Sequence, residues 1–254
     1  VGAVILAPGL CETDAARARS LGYGRIPNVV TSIEFERILS ASGPFGGHIV
    51  RPSDHKPPRR IAFVQCVGSR STTDRGHEYC SSVCCTYAVK QAIVAREHDR
   101  AIQATIFNMD MRTFGKDFDK YADQAQRAGI RLIRSAVAEI AEEPETGNLL
   151  LQYVGDGDRP QSEEFDLVVL SVGLQPARGA ADLAMATGIT LNEHGFAATL
   201  PTDPLSTSRP GIFTCGVFGG PKDIPESVTE GSAAASCAAV LLAEARGTCV
   251  EPRT

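Results

Sequence analysis

The sequence predicts an α/β fold in which parallel sheets are covered by helices and a few short strands pair antiparallel. Strand-like apolar runs alternate with helical segments between residues 61 and 133. This alternation is typical of βαβ units, because two parallel strands need a long crossover connection. After residue 136 the apolar runs become short and are separated by turn residues, which favours antiparallel strands.

The N-terminal part begins with a strand and ends in a loop. Residues 4–6 form an apolar run that is closed by a turn over residues 7–9, with the sequence Ala-Pro-Gly. Residues 33–40 carry apolar side chains at helical spacing and predict a short helix. A connector rich in Gly and Pro follows over residues 43–58 and predicts a linker.

The central part predicts a strand that leads into cysteines. A β-type run over residues 61–65 stops at Cys66, and a helix is expected over residues 81–97. The remaining elements expected here are a strand at 105–107, a helix at 116–128 and a strand that begins at 132.

The C-terminal part returns to strands and ends in a helix rich in alanine. The expected elements are antiparallel strands at 137–140 and 148–154, a buried strand at 166–173, a short strand at 211–216 and a helix at 227–246. We interpret residues 1–55 and 156–254 as one discontinuous domain, with residues 56–155 inserted between its halves.

Composition excludes several classes of protein. The net charge of −5 gives no basic field that would attract nucleic acid or anionic lipid. No apolar run reaches the roughly 18–20 residues that a membrane span needs. Eight cysteines in 254 residues are too few for a disulfide scaffold. We therefore expect a soluble cytoplasmic protein whose clustered cysteines bind metal or do redox chemistry.

Half of the cysteines lie within 20 residues, at Cys66, Cys80, Cys84 and Cys85. The adjacent pair is unusual for a structural zinc site, which favours two to four residues between its cysteines. An iron–sulfur cubane is larger, so neighbouring thiolates can reach different irons. From spacing alone an iron–sulfur cluster, a zinc site and free structural thiols all remain open.

Two strands of the sequence end in glycine in a similar way. Residues 4–9 and 168–173 resemble the segments of disulfide-reductase-type flavoproteins at which the backbone passes close to FAD. A buried strand followed by a glycine turn is the alternative interpretation of each. Residues 211–217, followed by the helix from Ser227, resemble the second FAD motif of those proteins, in which the helix N-terminus faces the flavin. Val217 stands where that motif has Asp, so only backbone contact with the ribityl chain is expected there.

Several longer segments resemble the FAD and iron–sulfur subunit of heterodisulfide reductase, and together they run along nearly the whole chain. The segments are GYGRIPN (22–28), VRPSD (50–54), IAFVQCVGSR (61–70), YCSSVCCTYAVK (79–90), FNMDMRTFGK (107–116) and GGPKDIPESV (219–228). The resemblance implies a two-dinucleotide-binding-domain flavoprotein core like that of thioredoxin reductase. The discontinuous domain would then bind FAD, and the insertion would correspond to the NAD domain.

The resemblance also implies cofactors and partners. A 4Fe–4S cluster would be held by Cys66, Cys80, Cys84 and Cys85, beside an FAD at which electron bifurcation takes place. Partners would be other heterodisulfide-reductase-like subunits, ferredoxin-type electron carriers and a second copy of the chain. Candidate flavin contacts are Ala7, Pro8, Gly9, Gly173, Gly216, Val217, Lys222, Asp223, Ile224 and Ser227.

Two charged residues match positions that lie near the flavin in that family. Lys90 would place a cation near the flavin N5, and Glu36 would share its environment. The alternative for each is a solvated charge on a helix face. Lys222 and Asp223 have a similar alternative, in which Asp223 caps the helix and both residues only hold the turn.

The motif that binds the FAD pyrophosphate is missing from this sequence. No strand–GxGxxG–helix segment occurs, so we expect the chain to be part of a longer protein. The first strand of the insertion is followed by Cys66 rather than a Gly-rich turn, which argues against direct NAD(P)H binding. A scaffold without cofactors and a stand-alone NAD(P)H-dependent reductase are the alternative functions.

Overall fold

The computed structural model describes residues 2–12, 16–72, 76–155 and 157–243. Its strands are β1 (Val4–Leu6), β2 (Leu10–Glu12), β3 (Val29–Thr31), β4 (Arg60–Val67), β5 (Gln103–Asn108), β6 (Arg131–Arg134), β7 (Val137–Glu142), β8 (Leu149–Val154), β9 (Pro160–Phe165), β10 (Leu167–Val172), β11 (Leu174–Pro176) and β12 (Ile212–Thr214). Its α-helices are α1 (Ala16–Ser20), α2 (Ser32–Leu39), α3 (Cys84–His98), α4 (Lys120–Arg127), α5 (Ala180–Thr187) and α6 (Ile224–Ala243).

The chain folds into two compact units. Residues 1–12 and 174–254 make up the terminal unit, and residues 13–173 make up the central unit. Sequence placed the boundaries at 55/56 and 155/156, which both fall inside the central unit. The difference arises because β3 pairs in parallel with β10, and β10 pairs in parallel with β4, so that residues after 12 fold with the insertion.

The central unit is built on a five-stranded parallel sheet with the strand order β3-β10-β4-β5-β6. Apolar side chains cover both faces, as expected for parallel strands that are buried on each side. On one face α2, α3 and α4 pack against the strands through residues such as Phe35 and Ala125. On the other face the antiparallel sheet β7-β8-β9 contributes Leu149 and Leu151.

Among its described residues, the terminal unit contains two small sheets and two α-helices. Strand β1 pairs in parallel with β12, and β2 pairs antiparallel with β11. Phe218 is fully buried in a core that also contains Leu6 and Ala184. Helix α6 packs Ala234 and Ala238 into a second core with Phe213.

The α/β class predicted from sequence is confirmed, while several short elements were missed. Helix α5 lies in a stretch that sequence treated as loop, because its hydrophobic pattern is short and flanked by Gly179 and Gly188. Helix α1 and strands β2, β3, β9 and β11 were also not predicted, since each of them has only three to six residues. The expected helix end at 244–246 lies outside the described residues. Within the described part, none of the helices is long and apolar enough to cross a membrane.

Candidate functional site

Four cysteines lie at the C-terminal end of β4 and at the start of α3, all in the central unit. Cys66 takes the left-handed backbone conformation, with φ of 59°, and interrupts the regular pairing of β4 with β10. Cys84 and Cys85 are buried in the first turn of α3, and Cys80 lies four residues before it, half-buried. A helix N-terminus carries partial positive charge, which favours thiolates.

Three of these thiols contact one another. The Cys84 thiol lies between Cys66 and Cys85 and is hydrogen bonded to both, which raises its pKa well above the usual value. The same hydrogen bonds lower the pKa of Cys66 and bring that of Cys85 to about 7. Cys80 accepts a hydrogen bond from the Ser82 amide at 3.4 Å. The structure therefore joins three of the four predicted ligands directly.

Arg70 provides a cation beside this set of thiols. Its guanidinium is hydrogen bonded to Asp110, which raises the pKa of Arg70, and the charges of Cys66 and Cys80 add to the shift. Arg70 also hydrogen bonds Cys66 and helps to lower the pKa of that thiol. The cation therefore lies close to Cys66 and Cys80 and favours negative charge on the Cys66 sulfur.

The arrangement does not match a site for a single metal ion. Across the ranges that the structure describes, no three His, Cys, Asp or Glu side chains are placed to ligate one ion. The donor set nevertheless suits an iron–sulfur cubane, which takes four thiolates and is larger than one ion. The backbone around the set is strained at non-glycine residues, since Arg70 and Ser82 share the left-handed conformation of Cys66, with φ of 56° and 64°.

The loop after β4 offers few free backbone donors to a nucleotide phosphate. The amides of Ser69, Arg70 and Ser71 donate to the carbonyls of Cys66, Tyr79 and His77, at 3.2, 3.0 and 2.9 Å. A Gly-rich nucleotide turn leaves such N–H groups open toward the phosphate. In this conformation the three amides are therefore not open to a phosphate.

Lys90 and Glu36 form an ion pair between α3 and α2. Both side chains are about half exposed, at 46% and 45%. Burial acts to raise the pKa of Glu36, but hydrogen bonds from Lys90 and from Gln91 outweigh it and lower that pKa. Gln91 donates to Glu36 Oε2 at 3.0 Å. The two charges that sequence selected separately are thus one salt-bridged pair, held by a buried amide.

Most of the candidate flavin contacts lie in the terminal unit. The Ala7-Pro8-Gly9 turn follows β1, and Gly9 has φ of 81° with open space where a Cβ would stand. Gly216 follows β12 with φ of 65°, and Val217 lies in the 3-10 turn that begins at Gly216. Both turns adopt backbone conformations that favour glycine. Open space at Gly9 is compatible with close approach of a ligand.

The turn before α6 is held by its own charged side chains. Glu230 accepts hydrogen bonds from the Gly216 amide at 2.8 Å and from Lys222 Nζ at 2.5 Å. Asp223 and Glu226 exchange backbone-to-side-chain hydrogen bonds in a capping box at the start of α6. Lys222 and Asp223 therefore make the contacts expected if both residues hold the turn and Asp223 caps the helix.

The remaining candidates have simpler surroundings. Ser227 donates to the Asp223 carbonyl at 2.7 Å, and Ile224 is 79% exposed at the start of α6. Gly173 belongs to the central unit, where its amide donates to the Val67 carbonyl at 2.8 Å. The ten candidate flavin contacts are thus divided, with nine in the terminal unit and Gly173, like Lys90 and Glu36, in the central unit.

The model of one protein family matches residues 85–235, which is more than half of the chain. That family is the pyridine nucleotide-disulphide oxidoreductases. The chain belongs to this family. Membership places the chain in a family of oxidoreductases, whose domain implies FAD.

Individual relatives have a more specific name than the family, that of a heterodisulfide reductase subunit. The chain is 47% identical to a CoB–CoM heterodisulfide reductase iron-sulfur subunit of Methanopyrus kandleri, over 99% of the chain and 39% of the relative. It is 41% identical to the corresponding iron-sulfur subunit of Methanocaldococcus jannaschii, over 96% of the chain and 38% of the relative. The resemblance to this subunit of heterodisulfide reductase is confirmed, and the chain spans about two fifths of the length of these relatives.

Two solved structures of lower sequence identity share the fold of this chain. Thioredoxin reductase of T. acidophilum has a TM-score of 0.56 at 17% identity, over 93% of the chain and 64% of that protein. Thioredoxin reductase of Lactococcus lactis has a TM-score of 0.55 at 19% identity, over 95% and 66%. This likeness confirms the predicted thioredoxin-reductase-like architecture.

Sequence reasoning did not single out four residues that organise the candidate sites. Arg70 and Asp110 lie inside the quoted segments at 61–70 and 107–116, but a charge in a motif does not reveal its partner. Gln91 and Glu230 act through hydrogen bonds that join separate elements. The only signal for Arg70 in the sequence is a positive charge four residues after Cys66, just beyond the strand that carries this cysteine.

Proposed function

We propose that this chain is the electron-transfer part of a heterodisulfide-reductase-like flavoprotein. In it the terminal unit contributes to the FAD site, and the central unit holds a 4Fe–4S cluster through Cys66, Cys80, Cys84 and Cys85. The observation that carries the proposal is the contact among three thiols at the N-terminus of α3, next to the Arg70 cation. FAD exchanges two electrons and a cluster exchanges one, so the pair can divide electrons between two acceptors.

The protein groups have separate roles in this proposal. The positive end of α3 and the Arg70 guanidinium stabilise negative charge on the cysteine sulfurs. Lys90 supplies a cation for the reduced flavin, and Glu36 balances it, with Gln91 fixing the carboxylate. The turns at Gly9 and Gly216 supply close backbone approach to the flavin.

The partners and the overall reaction are proposed from the relatives. One relative, from Methanococcus maripaludis, is named as part of an H2/formate:CoB-CoM heterodisulfide,ferredoxin reductase. We propose that the protein containing this chain works with heterodisulfide-reductase-like subunits and a ferredoxin-type carrier in the cytoplasm, by flavin-based electron bifurcation. The assembly would include a second copy of the chain.

Anaerobic purification followed by iron, sulfide and flavin analysis tests the proposal. We expect about four irons and four sulfides for each chain, as a cubane requires. We also expect an electron paramagnetic resonance signal of a reduced cluster after treatment with dithionite. Iron at background level after reconstitution with ferrous iron and sulfide would contradict the cluster.

A scaffold without cofactors is the second candidate function. It is favoured by the contacts that already occupy Lys222 and Asp223 in the turn before α6. Flavin titration of the full-length protein and of this chain separates the candidates. Binding by the full-length protein supports the redox function, whereas no flavin and no iron in either form would support the scaffold. Slow or absent NADH oxidation is expected, because the amides of the loop after β4 are already bonded.

A further inference from the structure

Four buried polar atoms of the central unit have no hydrogen-bond partner among the residues that the structure describes. They are Gln65 Nε2, Gln65 Oε1, Gln91 Oε1 and Ser171 Oγ. The three residues are only 8%, 2% and 1% exposed, so bulk solvent does not reach them. Buried polar groups in folded proteins are almost always hydrogen bonded, because an unpaired one has lost its water and gained nothing.

Gln65 and Ser171 lie next to each other on adjacent strands. The register of β10 and β4 pairs Leu170 with Val64, the residues just before Ser171 and Gln65. Neighbouring strands are about 4.8 Å apart. The pairing becomes irregular immediately after this point, which loosens the sheet at Gln65 and Ser171.

Both side chains point to the face of the sheet that α2 and α3 cover. Side chains alternate along a strand, so Gln65 shares the face of Phe63. The Phe63 ring packs edge-to-face on Phe35 of α2, with 5.5 Å between ring centroids. Ser171 shares the face of Val169, which packs in the same core as Phe35.

Gln91 of α3 is held by hydrogen bonds at the end of the sheet that carries Gln65 and Ser171. Its Nε2 donates to the Ser32 carbonyl at 2.9 Å and to Glu36 Oε2 at 3.0 Å. Ser32 follows the residue of β3 that is paired with Leu170, so it lies at the level of Ser171. The unpaired Oε1 of Gln91 is therefore at the same end of the sheet as the unpaired atoms of the two strands.

We propose that Gln65, Gln91 and Ser171 bind internal water, and that this hydrated cluster holds Gln91, and through it Glu36, in place. The free atoms suit water: the two amide oxygens accept, the amide nitrogen donates, and the hydroxyl does either. An internal water has two to four polar partners, which this set provides. The three side chains are uncharged, so no ion is needed to balance them.

The sign of a stability change tests the proposal. If water connects these groups, Gln65→Leu and Ser171→Ala each remove one of its partners and lower the midpoint of thermal unfolding of the full chain. If the groups are unpaired, the apolar replacements remove a cost and raise that midpoint. Gln152→Leu and Ser162→Ala are matched controls, because both residues are exposed on strands β8 and β9.

Coupling between Gln65 and Gln91 gives a second, independent measurement. The two side chains have no direct hydrogen bond, since the free atoms of each are unpaired among the described residues. Shared water predicts that the effects of Gln65→Leu and Gln91→Leu are not additive in the double variant. Additive effects would overturn the proposal.

Two further readouts do not rely on a measured change in stability. A high-resolution crystal structure of the unmodified protein is expected to show water within hydrogen-bond distance of Gln91 Oε1, and a dry cluster would overturn the proposal. The pKa of Glu36, followed by carbon NMR, is expected to rise in Gln65→Leu because Gln91 is less well held. An unchanged pKa of Glu36 would overturn the positioning role.

Discussion

Arg70 and Asp110 form an ion pair that joins the loop after β4 to the loop after β5. Asp110 also accepts a hydrogen bond from Arg112 Nε at 3.2 Å. Burial acts to raise the pKa of Asp110, but the hydrogen bonds from Arg70 and Arg112 outweigh it and lower that pKa. The carboxylate thus stays charged and keeps the Arg70 guanidinium beside Cys66 and Cys80.

We expect Arg70→Gln to lower the midpoint potential of the proposed cluster, because the reduced cluster carries more negative charge and loses a nearby cation. Redox titration followed by electron paramagnetic resonance measures this. Arg134→Gln is the control, since Arg134 donates to the Met109 carbonyl from β6 and is not an identified neighbour of the thiols. Equal potentials in the Arg70 variant and the control would remove Arg70 from the electrostatics of the site.

Cys84→Ser is expected to abolish cluster binding and to leave the fold largely intact. Cys84 is the thiol that contacts both Cys66 and Cys85, so its loss breaks the centre of the set. The measurement is iron and sulfide content after anaerobic reconstitution, with circular dichroism to check folding. Cys237→Ser is the matched control, a half-buried cysteine of α6 in the other unit. A full complement of iron in Cys84→Ser would contradict the ligand assignment.

Opposite shifts of the flavin potential are expected from the two members of the Lys90–Glu36 pair. Lys90→Gln removes a cation and should lower the potential of flavin bound to the full-length protein. Glu36→Gln leaves Lys90 unpaired and should raise it. The double variant should lie near the unmodified protein. Shifts of the same sign, or none, would exclude the pair from the flavin environment.

Glu36 should also contribute a stability that depends on pH. Its folded pKa is lower than the ordinary value of 4.5, so the contribution is present above that value and is lost as the pH falls through the folded pKa. We expect Glu36→Gln to cost about 0.2–1 kcal/mol at neutral pH, since the pair is half exposed. Urea unfolding at neutral and strongly acidic pH should show the difference shrinking. A difference independent of pH would contradict the assignment.

Glu230 is expected to control the turn before α6. Lys222 and Glu230 are 13% and 20% exposed, so removing one partner leaves a poorly solvated charge. We expect Glu230→Gln to reduce the free energy of unfolding by about 1–3 kcal/mol. The double variant Lys222→Met/Glu230→Leu should be more stable than Glu230→Leu alone, because it no longer leaves the Lys222 charge without its partner. Glu193→Gln is the control, since Glu193 is 85% exposed.

The fold class and the cysteine set could be predicted from the sequence because both depend on local patterns. The strand-like runs that end at Cys66 and Gly173 can be recognised in the sequence, and so can the spacing of Cys80, Cys84 and Cys85. The unit boundaries could not be predicted, because β3 joins the central sheet only through its pairing with β10. No sequence pattern near residues 29–31 indicates that this strand pairs with a strand more than a hundred residues away.

The sequence by itself determined the α/β class, the oxidoreductase family and the donor atoms that the site offers. Only the tertiary structure decided which of these atoms come into contact. It paired Lys90 with Glu36 across 54 residues, Arg70 with Asp110 across 40, and Gly216 with Glu230 across the turn before α6. Hydrogen bonds and ion pairs depend on distances of a few ångströms, and strand pairing and helix packing set those distances rather than sequence spacing.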